Sequence, residues 1–346
     1  MTGTILDASP HLLVLHTADG EIRLPMTEAT TVWHGGRGGP AALRPGRDVI
    51  VRPAADGLRA DRVWVDIGRV TGIILACGRD TVEVDMGPHR GRAHVVIPPH
   101  ALGRILVRHP RLEPGYLIDV ICVRSPGGPH AVRPGTSQPG YRADDLASPE
   151  PDAPIPDPIQ GTATWFGGAT WFGGASDQQR AGKPATTPKL RPRAADRSAR
   201  GEAADRSAPG EAADRSASGE AADRSVLGDI VGYTSALSGA AYPAVDSEGN
   251  AGGCLDAPSG CVALPYLSLG SGLSIRNECT GRTAAVPVIE CGCTAALYCD
   301  RCVECGTSPR GRVVELTPAA FVSLGGDLDA GCFNAVVRPM TPSMRG

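Results

Sequence analysis

Nine of the eleven cysteines, the residue type here best suited to metal binding or redox chemistry, fall between residues 254 and 332. They are Cys254, Cys261, Cys279, Cys291, Cys293, Cys299, Cys302, Cys305 and Cys332. The densest run, Cys-x-Cys-x5-Cys-x2-Cys-x2-Cys from 291 to 305, has two physical readings. In one, the thiols pair into disulfides that brace a loop, each worth about 2–4 kcal/mol through the unfolded chain it constrains. In the other, Cys291, Cys293, Cys299, Cys302 and Cys305 provide the thiolates of a structural zinc site. All eight histidines lie before residue 131. Zinc in this region would therefore be held by cysteine alone, in a closed and non-catalytic site. The same absence removes Cys-His and Ser-His-Asp nucleophiles from the region. Disulfides without a cofactor are the favoured reading, and nine is odd, so one thiol is left over. Cys77 and Cys122 sit in strand-like runs and are expected in the core.

The elements that must position this cluster read as strands. LPYLSLGSGLSIRNECTGRTAAVPVIECGC (264–293) and GRVVELTPAAFVSLGGDLDAGCFNAVVR (311–338) both alternate apolar and polar residues at period two. Leu273/Ile275, Val286/Val288 and Val313/Leu316 mark the inward positions, and Thr280-Gly281 marks a turn. Thr317 followed by Pro318 reads as the N-cap and first residue of a short helix.

The order of these parts resembles the double-psi β-barrel of the rare lipoprotein A and expansin group. Gly161-Thr162-Ala163-Thr164-Trp165-Phe166-Gly167 is similar to that family's opening strand, Gly-x-Ala-x-Trp-Tyr-Gly. The resemblance implies a six-stranded barrel with acids at two strand ends beside a groove that meets polysaccharide. Here those acids are Glu290 and Glu315, where the family usually carries Asp-Arg-Gly-Pro and Ile-Asp-Leu-Ser. As catalytic residues they would deliver or remove a proton at a glycosidic oxygen, which calls for a raised pKa. The alternative is that they cap turns, with Glu315 stabilising the helix that begins at Pro318. The chain departs from the family in lacking its histidine before Leu264-Pro265 and in placing Cys291 where the family has arginine.

Upstream, the chain contains a duplication. Gly3, Ile5 and Leu6 recur as Gly72, Ile74 and Leu75, and LRPGRDVIVR (43–52) recurs as LEPGYLIDVICVR (112–124). A constant offset of 69 residues for Gly3, Leu6, Leu43 and Gly46 implies two copies of one small β unit. The expected organisation is all-β: small barrel-like modules at 1–69 and 70–126, then a Pro/Gly-rich linker at 127–160. A first barrel strand lies within 161–175, a disordered insertion carrying three GEAADRS repeats at 176–228, and the cysteine-rich double-psi barrel at 229–339. His34, beside Trp33, reads as an ordinary strand-end residue.

A net charge of −3 and few aromatics near the N-terminal modules argue against a nucleic-acid partner. No apolar run reaches the ~20 residues a membrane-spanning helix requires. The compartment is read both ways: the cysteines and the resemblance favour the cell wall or exterior, the missing signal peptide favours the cytoplasm. The resemblance makes the protein polysaccharide-directed, binding peptidoglycan-like glycan and, if the acids are catalytic, cleaving it as a lytic transglycosylase. The alternative is a non-enzymatic multivalent scaffold, with a protein partner bound through residues 1–126.

Overall fold

A strand-rich chain of this pattern can bury its apolar faces only by stacking or closing sheets. The computed structural model does both, and it describes residues 1–36, 38–136, 142, 153–167, 238–246, 261–299, 301–302 and 311–340. The GEAADRS repeats, the second TWFGGA copy, the stretch 229–237, Cys254 and Cys305 lie outside the described residues. The described residues form an all-β protein with two short α-helices.

Module 1 contains β1 (Thr2–Ser9), β2 (Leu12–Thr17), β3 (Gly20–Pro25), β4 (Thr31–Trp33), β5 (Asp48–Pro53) and β6 (Ala60–Val65). They form one sheet in the order β3-β2-β1-β5-β6-β4. Module 2 contains β7 (Ile67–Cys77), β8 (Thr81–Asp85), β9 (Arg92–Val96), α1 (Pro99–Leu106), β10 (Leu117–Ser125) and β11 (Gly128–Pro134). Its five strands close into a barrel, sealed by a parallel contact between β9 and β11. Strand β11 lies inside the segment whose Pro and Gly content suggests a linker. Its alternating buried residues pair it with β10, so it belongs to the module.

The duplication is visible in the strand ladders, although module 1 stays one sheet and module 2 closes. The β1–β2 ladder has a bulge between Ile5 and Asp7, and the β7–β8 ladder has one between Ile74 and Ala76, again 69 residues apart. A methyl group on Gly3 would meet the carbonyl of His16 at 2.6 Å, and one on Gly72 would collide with the carbonyl of Asp85. Both glycines therefore allow backbones to approach where a side chain could not fit. Period-two alternation then sorts the repeated segment. Val49 and Val51 of β5 face the module 1 core, and Ile118, Val120 and Cys122 of β10 face the module 2 core. Ile50 and Ile121, on the opposite faces, join the core of the C-terminal barrel. Cys122 is buried as expected, whereas Cys77 is exposed at the end of β7, its thiol donating to the Leu112 carbonyl.

The C-terminal barrel closes from β12 (Ile159–Trp165), β13 (Ala240–Tyr242), β14 (Gly272–Asn277), β15 (Thr283–Cys291), β16 (Arg312–Leu316) and β17 (Cys332–Pro339). Their order is β12-β16-β13-β15-β14-β17, with β12/β16 and β13/β15 parallel and the remaining pairs antiparallel. The helix α2 (Pro318–Ser323) starts as its sequence predicts: Thr317 Oγ1 accepts the Ala320 N–H and Pro318 follows the cap. Inside, Phe321 and Phe333 pack with ring centroids 4.8 Å apart. Trp165 is fully buried and donates its indole N–H to the Leu328 carbonyl.

Candidate functional site: an acid pair closed by arginine

Strand pairing, more than sequence distance, brings Glu290 and Glu315 together. Ala241 of β13 is in register with Glu290 of β15 on one side and with Glu315 of β16 on the other. Both carboxylates thus reach the same barrel rim, where they meet a guanidinium from module 2. Arg90 Nε donates to Glu290 Oε1 at 2.8 Å, and Arg90 Nη1 donates to Glu315 Oε2 at 2.7 Å. The Arg90 guanidinium also lies 4.4 Å from the centroid of the Phe166 ring. It is carried there by the β8–β9 turn, in which the amides of Arg90 and Gly91 both donate to the Gly87 carbonyl.

Behind this triplet the ionic chain continues inward. Arg312 contacts Glu315 at 3.3 Å and donates to Asp119 Oδ2 at 2.7 Å. Arg69 grips the same Asp119 with two bonds of 2.8 and 2.6 Å, and also donates to the carbonyls of Gly135 and Gly331. Among the described residues three arginines face three carboxylates, and the group is almost entirely buried; Glu290, one-fifth exposed, is its outlet to solvent. Tyr298 completes it. The Arg312 guanidinium sits 3.9 Å from the Tyr298 ring centroid, and the phenol donates to the Ile118 carbonyl while accepting the Gly72 N–H.

Burial alone would raise the Glu315 carboxyl, but Arg90 and Arg312 outweigh it and hold its pKa below the ordinary value. Asp119 behaves alike: burial raises it, and Arg69 and Arg312 pull it lower overall. Arg90 is held more firmly charged, because the two glutamates overcome the effect of its burial. A general acid in glycan cleavage needs the opposite shift. In this arrangement Glu315 is an ionised partner of arginine, and it accepts no bond from the α2 N-terminus. What the site does chemically is hold a cation between two carboxylates and an aromatic face.

Of the cysteines, Cys291 and Cys293 lie beside Glu290 and Arg90. Cys261 and Cys299 form a disulfide, and Cys279, Cys291 and Cys293 are also disulfide-bonded. The sulfurs of Cys291 and Cys293 lie 2.9 Å apart. Cys302 and Cys332 are buried. His89, next to Arg90, comes within 4.8 Å of the Cys291 and Cys293 sulfurs, so the fold supplies from module 2 the histidine that the C-terminal domain lacks. With both cysteines oxidised the trio offers one imidazole and no thiolate to a metal.

The sequence marked both glutamates but missed Arg90, Arg69, Asp119 and Arg312. Arg69 and Arg90 stand in module 2, at least 200 residues before the glutamates, and no local pattern announces a partner so far away. The one available signal was Asp119, whose place in the repeated segment puts it opposite the inward Ile118, Val120 and Cys122 of β10. Comparison of the chain with protein-family models, curated proteins and solved structures finds no match.

Proposed function

We propose that this is a cell-wall or polysaccharide-associated protein whose C-terminal barrel is of the double-psi type and binds peptidoglycan-like glycan at the Glu290 rim. In the arginine-closed form it binds without cleaving. The observation that carries this reading is the convergence of Glu290 and Glu315 on either side of Ala241. The two parallel strand pairs support the barrel type, and the Cys261–Cys299 disulfide supports an oxidising compartment. Glu315, ionised and enclosed, has no proton to give, which favours binding over lytic transglycosylase chemistry.

Co-sedimentation of the full chain with insoluble peptidoglycan, with chromatography of any released muropeptides, tests it. The expected result is retention without release, unchanged by Glu290→Gln. No retention at low salt sinks the reading. Release that Glu290→Gln abolishes would replace it with the lytic one. A second reading, a non-enzymatic interaction protein, is favoured by the ion pairs of Arg52 and Arg62 with Asp327 and Asp329, and by the Trp64 indole N–H that donates to Asp329. They join module 1 to the barrel, so a partner would meet one composite surface and not separately tethered units.

A further inference from the structure

A second polar site lies where module 1 meets module 2, and all its described lining residues come from these two modules. A cleft of about 1020 Å³ opens there, at the upper end of the range for small-molecule sites. Its lining includes His34, Arg47, Asp66, His100, Arg124 and His130, so three of the chain's eight histidines face one cavity.

At its centre the charge of Asp66 is not matched at hydrogen-bond distance. Asp66 is the single residue between β6 and β7, and the only non-glycine residue with positive φ (49°) among those described. Its amide donates to the Asp48 carbonyl and its own carbonyl accepts the Arg124 amide, so its backbone is pinned from both modules. Pinned there, its carboxylate stops 3.6 Å from Arg47, 3.7 Å from Arg124 and 3.8 Å from His34, beyond hydrogen-bond reach of all three. Arg124 is engaged at 2.6 Å by Asp48. Arg47 has no such carboxylate. Its closest partner is His34 Nε2 at 2.9 Å, and its side chain is 29% exposed to the cleft.

This contact fixes the chemistry of His34. Arginine only donates, so His34 Nε2 must accept, leaving the imidazole neutral with its proton on Nδ1. Burial first, and the Arg47 charge second, lower the His34 pKa in the same sense. Among the described residues, the His100 and His130 rings make no hydrogen bond. The cleft therefore presents an arginine hydrogen-bonded to no carboxylate, with Asp66 standing off at 3.6 Å, together with ring N–H donors, while Asp48 is taken up by Arg124. Planar guanidinium donors of this kind suit the oxygens of phosphate or carboxylate.

We propose that this cleft binds a small ligand through an oxyanion group, with Arg47 as the holding charge and His34 and His130 as N–H donors. Inorganic phosphate reproduces a phosphoryl group and acetate a carboxylate, so the two probes separate the sources. Each is titrated into the full chain at constant ionic strength while the histidine ring resonances are followed by NMR. Saturable shifts confined to His34, His100 and His130 are expected, with affinity about tenfold weaker in Arg47→Gln, as for the loss of one charge-assisted contact. Saturation by phosphate alone assigns a phosphoryl ligand; saturation by acetate assigns a carboxylate. If Arg47→Gln does not fold, His130→Ala replaces it, with the same weakening expected. Non-saturable shifts for both anions, or equal affinity in a folded variant, overturn the proposal.

Discussion

Module 2 makes two junctions, and both use the same aspartate of the duplicated segment. In LRPGRDVIVR it is Asp48, and in LEPGYLIDVICVR it is Asp119, each followed by the Val-Ile that alternates inward and outward. Asp48 reaches forward to Arg124 of module 2, and Asp119 reaches forward to Arg312 of the barrel. The geometry of these bonds is nearly identical, at 2.6 and 2.7 Å. Their surroundings are not. Asp48 is 44% exposed beside an open cleft, whereas Asp119, Arg69 and Arg312 are sealed. One repeated device therefore gives a solvated tie in the first case and a buried clamp in the second. The difference is what covers it: Tyr298 and the Gly135 and Gly331 carbonyls close over the second junction, and nothing described closes over the first.

The sharpest way to break this comparison is to cut each tie. Arg312→Met leaves Asp119 and Glu315 buried with one cation fewer, and should destabilise the fold by about 3–5 kcal/mol, the usual cost of stranding a buried charge. Asp48→Asn, at the open junction, should cost no more than about 1 kcal/mol. Urea denaturation of both variants measures the gap. Equal costs would mean that the sealed network is no more than a solvated ion pair in energetic terms.

A smaller effect sharpens the duplication itself. Gly72→Ala would drive a methyl group into the Asp85 carbonyl, and it would disturb the Gly72 amide that Tyr298 accepts at the closed junction. Gly3→Ala has the milder clash, with the His16 carbonyl at 2.6 Å, and no junction beside it. Both should lose stability, within about 1–3 kcal/mol for overpacking, with Gly72→Ala the costlier. Thermal unfolding of the pair decides it, and the reverse order would detach Gly72 from the junction.

These two junctions also show what the sequence could reveal. Alternation at Leu273/Ile275 and Val286/Val288, the Thr317-Pro318 cap and the offset of 69 gave strands, helix start and repeat, because each is a local pattern with a local cause. The acid pair was legible as strand-end residues through the resemblance. Its environment was not, since a carboxylate's pKa depends on which cation the tertiary fold delivers, and Arg90 arrives from 200 residues away. The cleft was less legible still. His34 reads as an ordinary strand end because its meaning depends on Arg47 and Asp66, which reach it only after two modules dock. Low-complexity spacing misled at β11, where Pro129 and Pro134 sit at strand positions that the β10 pairing tolerates.

Acid provides the finest discrimination, because the junction carboxylates are shifted in opposite directions. Asp119 and Glu315 have folded pKa values below their ordinary 3.8 and 4.5. The unfolded chain therefore takes up protons first as pH falls, and the stability these groups contribute is present at neutrality and lost through and below that range. Asp66 is raised, chiefly by burial against the pull of Arg124 and Arg47. Its contribution has the other sign: it is full below 3.8 and is lost as pH rises through the folded value. Asp66→Asn should thus be neutral or slightly stabilising at pH 7, by up to about 1 kcal/mol, and lose that advantage toward pH 4. Asp119→Asn should be destabilising at pH 7, with its deficit shrinking as acid protonates the wild-type carboxylate. Taking each variant against wild type at the same pH limits the contribution of His34, whose lowered pKa penalises its protonation in the fold as pH falls below 6.5. Urea midpoints at pH 7 and pH 4 check the signs. If both variants moved in the same direction with pH, the two junctions would not differ in electrostatic character, and the open one would have no claim to be tuned for a ligand.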